Sequence, residues 1–156
     1  MYTLHHGEIA TLLEVVSPRS LLLIDPAASR PQGFEGRVLQ LNDPGQQDLA
    51  QQQPFDLGVV ANTLERMEKS RATELLARLR DLYTRRFVAL VPLGDRPGQR
   101  SHWQESDLLG LGLSRLARYR PQGRSVILYH YAIETYKTTP DWLNARHWAH
   151  PENWQA

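Results

Sequence analysis

The 156-residue sequence predicts a single α/β domain in three layers, with a mostly parallel sheet and an antiparallel C-terminal hairpin. Three observations carry that expectation. SLLLID (20–25), FDLGVVA (55–61) and FVALVP (87–92) are continuous apolar runs, as strands covered on both faces require. Between the second and third, apolar residues recur at three- and four-residue steps, the period of a helix. After residue 113 come two β-rich stretches, SRLARYR and RSVILYHYAIE, joined by Pro121-Gln122-Gly123, as in a hairpin.

The elements follow in order. Ile9, Leu12, Leu13 and Val16 fall on one helical face, and Ser17-Pro18 ends the run. SLLLID is then closed by Asp25-Pro26, and the Pro/Gly-rich connection PAASRPQGFEG leads to a short strand, RVLQL, at 37–41. Asn42-Asp43-Pro44-Gly45 reads as a turn, and the Gln-rich GQQDLAQQQP as a polar loop. Strand 55–61 gives way to a helix expected to start at Asn62, because Asn62 and Glu65 have capping-box spacing. That helix carries Ala72, Leu75, Leu76, Leu79, Leu82 and Tyr83 inward. The loop LGDRPGQRSHW follows strand 87–92. Ser101-His102-Trp103 with Glu105 then opens a helix near 104–111, ended by Gly112.

Composition excludes several classes of function. Cysteine is absent, so there are no disulfides, thiolate nucleophiles or thiolate zinc sites. No apolar run reaches the roughly 20 residues of a membrane span. MYTLHHGEIATLLEVV lacks the pattern of a signal peptide, so the expectation is a cytoplasmic protein with no membrane partner. Net charge is +1, yet Arg78–Arg124 holds ten Arg against four acids. Such a stretch reads as a solvated face, or as a contact for an anionic ligand. No aromatic–basic repeat marks it as a nucleic-acid surface.

Several motifs resemble the class I S-adenosylmethionine-dependent methyltransferases. That family ends its third strand in Asp, opens the fourth with Phe-Asp, and follows it with Asn-x-Leu-Glu-His. This chain has Leu41-Asn42-Asp43, Phe55-Asp56 and Asn62-Thr63-Leu64-Glu65-Arg66. A strand ending Val91-Pro92, a helix before Leu111-Gly112-Leu113 and a hairpin come next, so the likeness spans 37–134 in order. It implies a truncated three-layer α/β/α Rossmann-like methyltransferase fold. The chain is also similar to a short, degenerate bacterial branch of that superfamily to which no activity is assigned.

The resemblance further implies a glycine-rich turn after strand one, an acid within strand one, and a ribose-binding acid ending strand two. Here Leu23, Ile24, Asp25, Pro26, Ala27 and Ala28 occupy the first acid and glycine positions. Pro26 has no N–H, and Ala27 brings a methyl where a cofactor needs room. The few residues between 25 and 37 leave too little chain for a crossover helix, so strand two is expected to be missing, with no ribose acid identifiable. A rival alignment makes LLLIDPAAS strand two and Asp25 the ribose acid. It would remove a central strand and expose two rows of backbone groups, so the first alignment is preferred.

Candidate cofactor-binding residues are therefore Asp25, Ala27, Asp43 and Asn62. Asp43 could face a nucleotide-like ligand or simply start its turn. Asn62 and Glu65 lie where open α/β sheets bind ligands, though helix capping also accounts for them. Arg66 replaces the family's His and cannot serve as a general base near neutral pH, although it could hold an anion. His102 and Trp103 could belong to a lid, or merely open the next helix. No catalytic group is identified. His5, His6, His147 and His150 do not assemble a metal site.

The division expected is a methyltransferase-like domain, 1–136, and a Trp-rich tail, 137–156. In the tail, Trp142, Trp148 and Trp154 stand six residues apart and demand burial. Thr139-Pro140-Asp141 reads as the start of a helix. The tail is expected to fold over its own sheet or to dock on a second copy, giving a homodimer. The leading expectation is a non-catalytic binding or assembly module with a lost or altered S-adenosylmethionine site and no cofactor. The alternative is a small active methyltransferase using S-adenosylmethionine, held by the backbone after Ile24 and by Asp43.

Overall fold

The structure, a computed structural model, describes residues 6–27, 30–43, 49–120, 125–132 and 154–155. Helix α1 (His6–Val16) precedes β1 (Ser20–Ile24) and β2 (Arg37–Leu41). Then come β3 (Leu57–Val60), α2 (Lys69–Arg78), β4 (Arg86–Pro92) and α3 (Glu105–Gly110). Strands β5 (Ser114–Tyr119), β6 (Val126–Ala132) and β7 (Trp154–Gln155) complete a sheet ordered β2-β1-β3-β4-β6-β5-β7. Strands β2, β1, β3 and β4 are parallel, whereas β6, β5 and β7 add antiparallel. The three-layer α/β fold of the methyltransferases is therefore present.

Burial explains the layers. Every residue of β1 and of β3 is buried, which is why they read as unbroken apolar runs. On one face Leu12 of α1 packs with Leu21, Leu23, Leu57, Val59 and Leu90. On the other, Leu22, Ile24 and Val60 pack with Leu75 and Leu76 of α2 and Leu108 of α3. Helix α1 ends where Ser17 turns left-handed (φ 50°), its N–H reaching Leu13 O at 2.8 Å, and Pro18 cannot continue the ladder.

Strand β1 pairs with both β2 and β3, so it holds the central place that the preferred alignment gives it. Arg37–Leu41 pairs directly with β1 in register Ser20↔Arg37 to Ile24↔Leu41, and among the described residues no strand lies beyond it, so the sheet is one strand short on this side, as expected. Asn42 and Asp43 thus follow the strand adjacent to β1.

The helix expected at Asn62 also differs. Leu64–Arg66 is one 3-10 turn, and α2 begins only at Lys69, after Glu68. Asn62 has φ 52°, and its side chain is engaged elsewhere, so it caps nothing. The capping box lies instead at Gln104 and Asp107, where Gln104 N–H donates to Asp107 Oδ2 at 2.9 Å. At Leu79–Tyr83 the helix widens into a π-turn, which seats Tyr83 inside and leaves Leu82 59% exposed, against the expectation for Leu82. The 137–156 division and the 139–141 helix start fall outside the described residues, apart from Trp154–Gln155 on the edge of β5.

Candidate functional site

Parallel strands leave a crevice beyond their carboxyl ends, and ligands of open α/β sheets bind there. In this chain β1, β2 and β3 end together, followed by Asp25-Pro26, Asn42-Asp43 and Asn62-Thr63. A cleft of about 830 Å³ opens at that edge, within the range of small-molecule sites. Pro26, Asn42, Asp43, Asn62 and Thr63 form its sheet side. Leu49, Met67, Leu75 and Tyr83 supply apolar surface.

The ends of β1 and β3 are stitched together beneath the cleft. Asp25, 4% exposed, accepts the Ala27 N–H at 2.8 Å and the Asn62 Nδ2–H at 3.1 Å. The Thr63 hydroxyl lies 2.8 Å from Ala61 O and 3.1 Å from Ile24 O, and Ala61 N–H donates to Ile24 O at 3.0 Å. The left-handed Asn62 turns the chain sharply enough for its amide to reach back to β1.

The opposite wall comes from the 3-10 turn, the start of α2 and the loop after β4. That loop is closed by Gly94 N–H donating to Trp103 O at 2.9 Å. It is held down by Glu65 O, which accepts from Arg100 N–H (2.8 Å) and Ser101 N–H (3.3 Å). The Ser101 hydroxyl donates to Leu64 O (2.7 Å) and accepts the indole N–H of fully buried Trp103 (2.8 Å). Lys69 Nζ bonds Asp107 and His102 O, clamping α2 to the same loop. His102 and Trp103 therefore build the wall. Trp103 is a core residue, and His102 faces Asp95 at 3.2 Å on the outside.

Charge on the cleft is mixed: Arg66, Arg71, Arg78 and Arg100 against Asp43, Glu68 and Glu74. Arg78 is occupied, pairing with Glu74 at 2.7 Å and lying 3.4 Å from the Tyr83 hydroxyl. Arg71 and Arg100 are exposed, and among the described residues their guanidinium groups make no hydrogen bond or ion pair. Glu65 sits behind this wall, 8% exposed, with Oε2 unpartnered among the described residues. Burial pushes its carboxyl up from the usual range, opposed by its backbone hydrogen bond and the Arg66 charge.

Of the four sequence candidates, Asp43 and Asn62 line the cleft, Asp25 lies below it, and Ala27 is exposed on the turn after β1. Asn62 lines the cleft while its amide holds the buried Asp25 carboxyl. Sequence reasoning did not single out Arg71 or Arg100. Arg100 lay within the basic stretch, but only loop closure at Gly94 and Trp103 carries it to this edge. Among the described residues no group of three or more His, Asp or Glu could hold a metal ion, and no helix is long and apolar enough to cross a membrane.

The turn after β1 can be tested as a cradle for the adenosyl cofactor of the fold. Pro26 offers no N–H, and the Ala27 N–H is engaged by Asp25. The described part of that turn does not fit the group.

Residues 4–156 match a family model described as a family of unknown function (DUF6231). No curated protein matches the sequence. Among solved structures the chain is similar to 1,6-didemethyltoxoflavin-N1-methyltransferase of Burkholderia thailandensis, with 16% identity, coverage of 80% of this chain and 76% of that one, and a TM-score of 0.53. It is similar to the methyltransferase domain of bacterial CtHen1-C, with 11% identity, 81% and 95% coverage, and a TM-score of 0.50. A magnesium protoporphyrin IX methyltransferase of Synechocystis PCC 6803 aligns with 18% identity over 64% of this chain, at a TM-score of 0.44. This chain spans about half (52%) of that enzyme's length. The likenesses to the first two structures show the fold.

Proposed function

We propose, for a chain that belongs to the family of unknown function DUF6231, that it is a binding module on a methyltransferase fold. In this reading the cofactor cradle is lost, the cleft takes a different small ligand, and no methyl group is transferred. The observation that carries it is Asp25. Its carboxyl, which could otherwise face a ligand, is buried against Ala27 and Asn62 and ties the β1 turn to the β3 turn. A turn so bonded offers a closed floor instead of free N–H groups.

The test is a calorimetric titration of the full chain with S-adenosylmethionine and S-adenosylhomocysteine. No saturable heat is expected from either. Micromolar binding of either one, lost on Asp25→Ala or Asp43→Ala, would overturn the reading. Assembly through 137–156 belongs to the same proposal, and light scattering across a concentration series would reveal a dimer or show the chain monomeric.

One observation favours the alternative, a small active methyltransferase. Asp43 follows the strand beside β1 and lines the cleft, so its carboxyl is available in that reading to help hold the cofactor. The Burkholderia thailandensis neighbour is described with bound S-adenosylhomocysteine. That alternative requires Pro26→Gly with Ala27→Gly to tighten cofactor binding.

A further inference from the structure

Resting on the binding-module reading, we infer that the ligand of this cleft is a nucleoside monophosphate. Its phosphate is held by Arg71 and Arg100, its apolar body lies over Leu49, Met67, Leu75 and Tyr83, and its sugar hydroxyls face the Asn42–Asp43 end.

The charges on this wall are unequally matched. Glu74 takes Arg78, whereas the exposed Arg66 side chain makes no hydrogen bond or ion pair among the described residues. Among the described residues the Arg71 and Arg100 guanidinium forks likewise make no hydrogen bond or ion pair, while both line the same opening. A planar fork of fixed charge matches phosphate oxygens in pairs of hydrogen bonds. Arg71 is the third residue of the ten-residue α2, and no acid occupies that helix's first turn.

Pre-organisation points the same way. The Arg100 backbone is pinned to Glu65 O at 2.8 Å, and the next residue is locked by the Leu64–Ser101–Trp103 chain of hydrogen bonds. A side chain carried on a fixed backbone loses less freedom when it binds. The far end of the cleft has the opposite chemistry. Asp43 and Asn42 present oxygen acceptors suited to hydroxyl donors.

The arrangement disfavours two rivals. S-adenosylmethionine carries a net positive charge from its sulfonium, ammonium and carboxylate, so unmatched guanidinium groups favour it less than a dianionic phosphate monoester. A nucleic-acid strand would run its repeated phosphates past Asp43, Glu68 and Glu74, which the cleft places around the arginines.

The experiment is calorimetry on the full chain with AMP, GMP, CMP and UMP, their parent nucleosides, inorganic phosphate and S-adenosylmethionine. At least one nucleotide should bind saturably, at least about tenfold tighter than its nucleoside, and should weaken as salt rises. Arg71→Ala and Arg100→Ala should each lower that affinity about tenfold or more, with the Lys variants partly restored. Circular-dichroism melts of the variants report whether the fold is kept, and the wild-type comparison of nucleotide with nucleoside needs no variant.

Absence of saturable nucleotide binding would overturn the inference. Equal affinity for nucleotide and nucleoside would overturn it too, as would phosphate alone binding as tightly as any nucleotide. If nothing binds, including S-adenosylmethionine, this inference falls and the loss of the cofactor cradle stands. If S-adenosylmethionine alone binds, both fall.

Discussion

The side-chain amide of Asn62 donates to the carboxyl of Asp25 over 3.1 Å, joining residues 37 positions apart where β3 and β1 both end. Both groups are buried, and Asn62 holds a left-handed backbone to make the contact. Asn62→Ala should cost about 2–3 kcal/mol, from an incompletely bonded buried carboxyl and a strained φ. Asn62→Gly keeps the first cost but relieves the strain, and should be about 1 kcal/mol milder. Urea denaturation midpoints check this; equal losses would show that φ is not what the site asks of Asn62.

His130 should make the fold acid-sensitive. It is 3% exposed on β6, opposite Val88 and Ser114, and neither ring nitrogen has a partner among the described residues. Burial pushes its imidazole down to about 4. The unfolded chain therefore takes up the proton first as pH falls through 6.5. Stability drains between pH 6.5 and about 4, by up to about 3 kcal/mol, and this effect saturates below. His130→Leu should flatten that part of a stability–pH curve. An unchanged slope would mean that other groups set it.

Glu65 titrates with the opposite sense. Its carboxyl is raised by burial, so the unfolded chain releases the proton first, and stability is lost as pH climbs from about 4.5 through the folded value. Glu65→Gln should raise stability at pH 7 relative to pH 4. The Arg100 and Ser101 bonds to its backbone oxygen should survive the change. Chemical denaturation at the two pH values reads the difference directly.

Gly36 fixes where β2 joins the sheet. A Cβ there would run into the Arg19 backbone oxygen, the same oxygen that accepts the Arg37 N–H at 3.2 Å. Gly36→Ala should cost about 2–3 kcal/mol by forcing the backbones apart. Gly33→Ala has open space but a φ of 79°, so it should cost only about 1–2 kcal/mol of backbone strain. Thermal melts of the two variants should rank in that order.

Ser101→Ala should loosen the wall that carries Arg100. The substitution leaves the Trp103 indole N–H without its 2.8 Å partner and frees Leu64 O, both in buried surroundings. About 2 kcal/mol of destabilisation is expected. Hydrogen exchange should quicken first at the Arg100 and Ser101 amides. If those amides stay protected, the backbone of Glu65 alone holds the loop.

By itself the sequence determined the elements and their kinds. The apolar runs 20–25, 55–61 and 87–92, the helical spacing around Leu75 and Leu76, and the hairpin after 113 are all set by burial on one face or two. Burial leaves a periodic trace in neighbouring residues. Tertiary structure alone decided how the chain uses Asn62, which the sequence offered as a helix cap and the fold gives to Asp25. It also decided that β2 lies directly against β1, which brings Asp43 to the cleft, and that Arg71 and Arg100 meet there. Such partners lie tens of residues apart, and a hydrogen bond or a shared wall between them exists only once the intervening chain has closed. No local period records that.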